Sequence, residues 1–150
     1  MQHTDLPSTL RDLRASRFAE RLDPRRDLKE EIRSNLLCSL ERGEELFPGV
    51  MGYEDSVIPQ IVNALLSRHN FILLGLRGQA KTRLARMLTR LLDPVSPYIA
   101  GCEIRDHPFR PICKRCIDLV AEQGEDTPIA WLKPADRYVE KLATPDVTIA

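Results

Sequence analysis

Four residues at fixed spacing form the part of the chain best suited to chemistry. They are Gly75, Gly78, Lys81 and Thr82. Glycines let backbone N–H groups approach a phosphate closely, a lysine ammonium neutralises the β- and γ-phosphates, and a threonine hydroxyl binds Mg²⁺. The spacing predicts a phosphate-binding loop (P-loop) for a nucleoside triphosphate with Mg²⁺, with Thr82 on the metal. The remaining predicted phosphate-contacting residues are Leu76, Arg77, Gln79 and Ala80.

One position departs from the usual loop, because Ala80 stands where glycine normally precedes the lysine. A Cβ is tolerated there if the backbone is already helical, so we interpret the loop as a variant. The flanking sequence supports it: residues 71–74 form an apolar run typical of a strand, and leucines recur at helical spacing after the loop. The opposing interpretation is an ordinary strand–turn–helix with a surface lysine.

A second group of chemically capable residues spans fifteen positions. It consists of Cys102, His107, Cys113 and Cys116. Thiolates two residues apart chelate a tetrahedral Zn²⁺, and the other two residues would complete its shell. A Cys-x-x-Cys pair at a helix start also favours a lowered thiol pKa and redox chemistry. Zinc, a redox pair and inert thiols in a surface loop therefore remain three open interpretations, while Cys38 is expected in the core.

Composition restricts the function classes. The 150 residues are 43% hydrophobic and 29% charged with zero formal charge, which predicts a globular protein with no general affinity for nucleic acid or membrane. The N-terminus lacks the features of a secretory signal, and no segment has the apolar length of a membrane span. We therefore expect a cytoplasmic protein whose cysteines are thiols or metal ligands.

Hydrophobic periodicity predicts the elements that position these groups. Helices are predicted over residues 8–22, 27–42, 56–68 and 113–123. Strands are predicted over residues 71–74, 98–104 and 137–142, with a loop-like stretch from residue 124 and another element starting at 147–150. Arginines alternate with acids on the first two helices, which is typical of a solvated face; protein docking is the second interpretation.

The chain resembles AAA+ ATPases, and more narrowly the branch of MoxR-type ATPases and the ATPase subunit of magnesium chelatase. The loop with Ala80 is similar to the alanine-bearing P-loop of MoxR proteins. The region from Cys102 to residues 144–146 is similar to the elaborated stretch after the second strand of magnesium-chelatase-type subunits. A third stretch looks like the AAA+ segment that contacts adenine, namely Val50, Met51, Gly52 and Tyr53. The resemblance covers residues 47–150.

This resemblance implies an α/β fold: an incomplete P-loop NTPase (AAA+) core, preceded by a helical N-terminal extension over residues 1–46. Residues 47–150 would be the N-terminal part of the ATPase domain, with a cysteine-bearing insertion at about 102–116. Such ATPases hydrolyse ATP with a strand ending in Asp-Glu, a polar sensor and an arginine from a neighbouring subunit. None is recognisable here, so we expect the chain to bind ATP without hydrolysing it. The complete protein would form a ring, expected to be a hexamer, that remodels a protein client or a metal-insertion complex.

Two other functions remain open. A small P-loop kinase would use the same loop for phosphoryl transfer, although such kinases usually start near the P-loop strand and nearly seventy residues precede it here. The other open function is that of a zinc-stabilised interaction module with a vestigial nucleotide site. Stoichiometric zinc without nucleotide binding would favour that module.

Overall fold

The computed structural model describes residues 6–141, and the expectations for residues 142–150 lie outside that range. Residues 6–141 form five helices: α1 (Leu10–Ala15), α2 (Leu28–Glu41), α3 (Val57–Leu66), α4 (Lys81–Met87) and α5 (Lys114–Gln123). This part of the chain also forms two strands, β1 (Ser96–Ile99) and β2 (Ile129–Leu132). Single 3-10 turns lie at Ala19–Arg21, Leu88–Leu91, Gly124–Asp126 and Pro134–Arg137. Within residues 6–141, no helix has both the length and the apolar character needed to cross a membrane.

The helices α2 and α3 lie within the predicted ranges 27–42 and 56–68 and both contribute to the larger core. Asp27 caps α2, its carboxylate accepting the Glu30 N–H at 2.8 Å, and Ser56 stands at the start of α3 with Pro59 in its first turn. Proline is tolerated there because first-turn N–H groups have no intrahelical acceptor. The core also receives residues from the segment between α2 and α3, from α4 and from the 3-10 turn Leu88–Leu91. Its buried members are Leu36, Phe47, Val50, Ile61, Leu65, Leu84 and Leu91.

The sheet consists of β1 and β2, which pair antiparallel with Ser96 opposite Leu132 and Ile99 opposite Ile129. Only part of it was expected. The strand predicted over 98–104 starts two residues earlier and ends at Ile99, and β2 lies where a loop was predicted. The strand predicted from residue 137 is wrong in its described part, because Arg137 ends a 3-10 turn.

The N-terminal segment joins this sheet. The Ile129 N–H donates to Ser8 O at 2.8 Å, and Trp131 Nε1 donates to Pro7 O at 2.8 Å. Leu10 and Leu13 form a second small core with Ile129. The prediction of a single helix over residues 8–22 is therefore wrong. The segment forms the short α1 followed by a 3-10 turn, and it packs against β2.

A buried ion-pair network joins α2 to the segment around Arg137. The Arg137 guanidinium donates to both carboxylate oxygens of Glu31 at 2.6 Å, and Asp93 N–H donates to Glu31 Oε1 at 2.7 Å. Arg26 in turn contacts the Asp93 carboxylate at 2.6 Å, which also accepts from Asn35 at 2.9 Å. The carboxylates of Glu31 and Asp93 thus each have an arginine and a second hydrogen-bond donor, which compensates the loss of water around them.

Candidate functional site

The predicted phosphate loop runs over residues 75–82 and leads directly into α4. Gly75 and Gly78 have φ values of 152° and 83°, which favour glycine. Ala80 precedes α4 in the left-handed region, with φ 54° and ψ 11°. The condition under which a Cβ is tolerated there, a backbone that is already helical, is therefore not met at Ala80. A Cβ in that conformation costs about 1 to 2 kcal/mol, which is why glycine is the usual residue here.

Polar groups of the loop bond to one another. Lys81 Nζ donates to the carbonyl oxygen of Gly75 at 2.8 Å and also to that of Leu76. The Gln79 carboxamide oxygen accepts the Leu76 N–H at 2.8 Å. Residues 77–83 line an open recess of about 470 Å³. Lysine, backbone N–H groups and a threonine hydroxyl thus lie together, and a phosphate would have to displace three internal contacts.

The predicted adenine-contacting segment, residues 50–53, lies beside this loop. The Tyr53 hydroxyl donates to Gln79 O at 3.5 Å. Next to the segment, Arg83 donates to Pro48 O at 3.3 Å. Val50 is buried in the larger core whereas Met51 is 85% exposed, so the core holds the segment while Met51 faces solvent. The two predicted nucleotide-contacting stretches are therefore adjacent in space.

The run that precedes the loop is not a strand within the described residues, contrary to the prediction for 71–74. Phe71 and Leu73 pack on the larger core, but Ile72 and Leu74 are 83% and 88% exposed. This alternation is that of a strand with one covered face. The described sheet pairs β1 with β2 only, so residues 71–74 have no ladder in that part of the chain.

The cysteines converge on a compact cluster. Ligand atoms of Cys102, Asp106, Cys113 and Cys116 all lie within 4.8 Å of one another, and the group could hold a metal ion. Cys102 follows β1, Cys113 caps α5 and Cys116 lies in the first turn of α5. His107 does not belong to this group: its Nδ1 accepts the Phe109 N–H at 3.1 Å. Asp106 thus replaces the predicted ligand His107.

Backbone N–H groups are directed at the cluster. The Asp106 N–H donates to Cys102 Sγ at 3.3 Å, and the Cys116 N–H donates to Cys113 Sγ at 3.4 Å. Asp106 Oδ2 accepts from the N–H groups of Ile112 and Cys113, at 3.2 and 2.9 Å. Burial alone would raise the pKa of Asp106, but hydrogen bonds from Cys113 and Ile112 outweigh it and lower that pKa.

The two thiols of the Cys-x-x-Cys pair do not have the lowered pKa that the redox interpretation expects. Hydrogen bonding to the Asp106 carboxylate raises the pKa of Cys113, and burial raises the pKa of Cys116. Burial would also raise the pKa of Cys102, but hydrogen bonds, chiefly from the Asp106 N–H, outweigh it and lower that pKa. Cys102 and Cys116 are buried, which also contradicts inert thiols in a surface loop, and Cys38, expected in the core, is exposed.

Sequence reasoning missed Asp106 because His107 is the more usual zinc ligand and stands beside it. The available indication was an acidic residue between Cys102 and the Cys-x-x-Cys pair. Of the remaining predicted site residues, the loop and the segment 50–53 are brought together and His107 is set apart. Compared with protein-family models, with curated proteins and with solved structures, the chain matches none of them.

Proposed function

We propose that this chain binds ATP as the nucleotide-binding part of an AAA+-type P-loop ATPase of the MoxR and magnesium chelatase branch. The observation that supports it best is the contact between the loop and the segment 50–53. Tyr53 reaches Gln79 and Arg83 reaches Pro48, which brings two stretches more than twenty residues apart in sequence to one surface. A nucleotide needs such a pair of surfaces, one for its base and one for its phosphates.

The groups at the loop fit a magnesium triphosphate. Lys81 supplies a positive charge, and the Thr82 hydroxyl at the start of α4 supplies an oxygen ligand of the kind Mg²⁺ prefers. Loop N–H groups would hold phosphate oxygens, beginning with that of Leu76 once the Gln79 side chain has left it. Lys81 would exchange two carbonyl contacts for the phosphates.

Substitution of Lys81 by alanine tests this proposal. We expect the parent chain to bind Mg²⁺-ATP in isothermal titration calorimetry and Lys81→Ala to lose that binding, with an unchanged circular dichroism spectrum. Lys29→Ala is the matched control, because Lys29 is an exposed lysine on α2, an element separate from the loop. Equal binding by Lys81→Ala and the parent, or no binding by the parent, would show that the loop is not a nucleotide site.

Hydrolysis would belong to the complete protein. The sequence has no apolar strand ending in Asp-Glu, so we propose that this chain holds ATP while the ring-forming complete protein turns it over to remodel its client. A phosphate-release assay with the parent chain should give no more product than Lys81→Ala gives. Steady turnover that depends on Lys81 would contradict this division of work and place the hydrolytic groups within the chain.

For the cysteine cluster we propose Zn²⁺ as the metal. Thiolates are soft ligands that select zinc over magnesium or calcium. We expect about one zinc per chain after gel filtration. Cys113→Ser should lower that ratio strongly, and Cys38→Ser, which changes an exposed cysteine outside the cluster, should leave it unchanged. Less than about a tenth of a zinc per chain in the parent would refute the assignment.

A second function follows if nucleotide binding fails while zinc is stoichiometric. The chain would then be a zinc-stabilised interaction module with a vestigial P-loop, and the metal cluster supports this candidate. The two measurements above separate the possibilities, because calorimetry reports on the loop and metal analysis reports on the cluster.

A further inference from the structure

On the basis of the zinc site proposed above, we infer that Asp106 is its fourth ligand, completing a closed Cys₃Asp site with a structural role. The first support is the separation of two thiols. Cys102 Sγ and Cys113 Sγ lie 3.9 Å apart. Two thiolates bound to one tetrahedral Zn²⁺ at about 2.3 Å would be about 3.8 Å apart, because the tetrahedral angle fixes that distance. The spacing therefore fits two thiolates on one metal as well as a contact between two thiols, and it excludes a disulfide, which would need about 2.05 Å.

The second support is the orientation of the side chains. The N–H groups of Asp106 and Cys116 point at the sulfur atoms of Cys102 and Cys113. Such bonds stabilise thiolates and fix their direction, as groups around a metal's ligands usually do. The backbone of residues 112–113 holds Asp106 Oδ2 in the same way, while a carboxylate still offers further lone pairs to a metal.

The third support is the burial of Asp106. Asp106 is only 4% exposed, and within residues 6–141 the least exposed salt bridges are formed by Glu31 and Asp93 instead. A metal ion would bind this buried carboxylate directly. The four anionic ligands would outweigh the charge of the cation, and the N–H groups that surround them would stabilise the excess negative charge. His107 is turned to the Phe109 N–H and does not belong to the cluster.

The role follows from burial. Cys102 and Cys116 are 6% and 0% exposed, so the site is closed to substrates on most sides. Closed four-ligand zinc sites are structural, whereas catalytic sites keep one open position. The ion would fasten the end of β1 to the first turn of α5, around the small core that includes Ile99. The stretch from the end of β1 to the first turn of α5 would then lose much of its order when the metal is removed.

Cobalt substitution tests the ligand set directly, because the visible absorption of Co²⁺ reports on the atoms bound to it. The chain loaded with Co²⁺ should show tetrahedral thiolate-type bands. Asp106→Asn should shift those bands and weaken Zn²⁺ binding by more than about 100-fold, since it removes a ligand rather than an outer contact. His107→Asn, the matched control next to it, should leave the bands in place and the affinity within about twofold.

The asparagine variant keeps an acceptor for the N–H groups of residues 112–113, so a purely supporting role of Asp106 would leave the cobalt bands unmoved. Unmoved bands in Asp106→Asn, with or without a shift in His107→Asn, would overturn the fourth-ligand inference while leaving zinc binding itself intact. A parent chain that binds neither Zn²⁺ nor Co²⁺ would overturn the zinc proposal and this inference together.

Discussion

The contrast between a buried and an exposed ion pair gives a prediction for stability. The side chains of Arg137 and Glu31 are only 16% and 9% exposed, whereas those of Arg11 and Asp126 are 68% and 76% exposed. Removing one partner of a buried pair leaves an uncompensated charge and costs about 3 to 5 kcal/mol. Removing one partner of an exposed pair costs about 0.2 to 1 kcal/mol.

We expect Arg137→Met to lower the free energy of unfolding by about 3 kcal/mol, the lower end of the range for a buried pair. The Asp93 N–H would remain on Glu31 and reduce the loss. Methionine keeps much of the apolar stem, so the change reports mainly on the charge. With a urea slope of about 1.5 kcal/mol/M, the midpoint should fall by about 2 M. Arg11→Met should shift the midpoint by less than about 0.7 M under the same conditions.

Urea unfolding followed by circular dichroism measures both shifts. The double variant Glu31→Gln/Arg137→Met should be more stable than the sum of the two single effects predicts, because it leaves no unpaired charge. Equal shifts for Arg137→Met and Arg11→Met, or additive effects in the cycle, would refute the claim that burial makes the Glu31–Arg137 pair costly to break.

The other predictions concern single contacts. Gln79→Ala should strengthen binding of Mg²⁺-ATP in calorimetry, because it frees the Leu76 N–H that Gln79 occupies; weaker binding would show that Gln79 helps the ligand instead. Asp27→Ala should lower the free energy of unfolding by about 1 kcal/mol through loss of the α2 cap, measured in urea, and an unchanged midpoint would contradict that role. Trp131→Phe should lower the free energy of unfolding by about 1 kcal/mol, plus any lost packing, because it removes the hydrogen bond to Pro7. Amide exchange should then show whether the N-terminal segment opens more often.

Local sequence patterns predicted α2 and α3 because their cause is local. A capping aspartate and a repeating apolar stripe determine α2 within fourteen residues. The strand β2 was missed for the opposite reason. It is four residues long, lies between Pro128 and Lys133, and is stabilised by pairing with β1 more than thirty residues earlier. No periodicity within so short a run distinguishes it from a loop.

The residues of the candidate sites also fall into those that local sequence indicates and those that it does not. Spacing alone pointed to the loop residues and to the cysteines, because each motif lies within a short stretch of sequence. It did not distinguish Asp106 from His107, since adjacent side chains point in different directions and the backbone between 102 and 113 is irregular. It also gave no indication of the left-handed backbone at Ala80, which depends on how the loop closes onto α4.

The attachment of the N-terminal segment to β2 has a consequence for synthesis on the ribosome. The bond between Trp131 and Pro7 spans 124 residues, so the first described residues have no docking surface until nearly all the described chain has emerged. At roughly 5 to 20 residues per second, that wait is about 6 to 25 s. Leu10 and Leu13, both buried in the finished protein, are exposed to water and to chaperones for that interval. Codon choice between Pro7 and Trp131 would therefore set how long this apolar segment stays available for misdirected contacts.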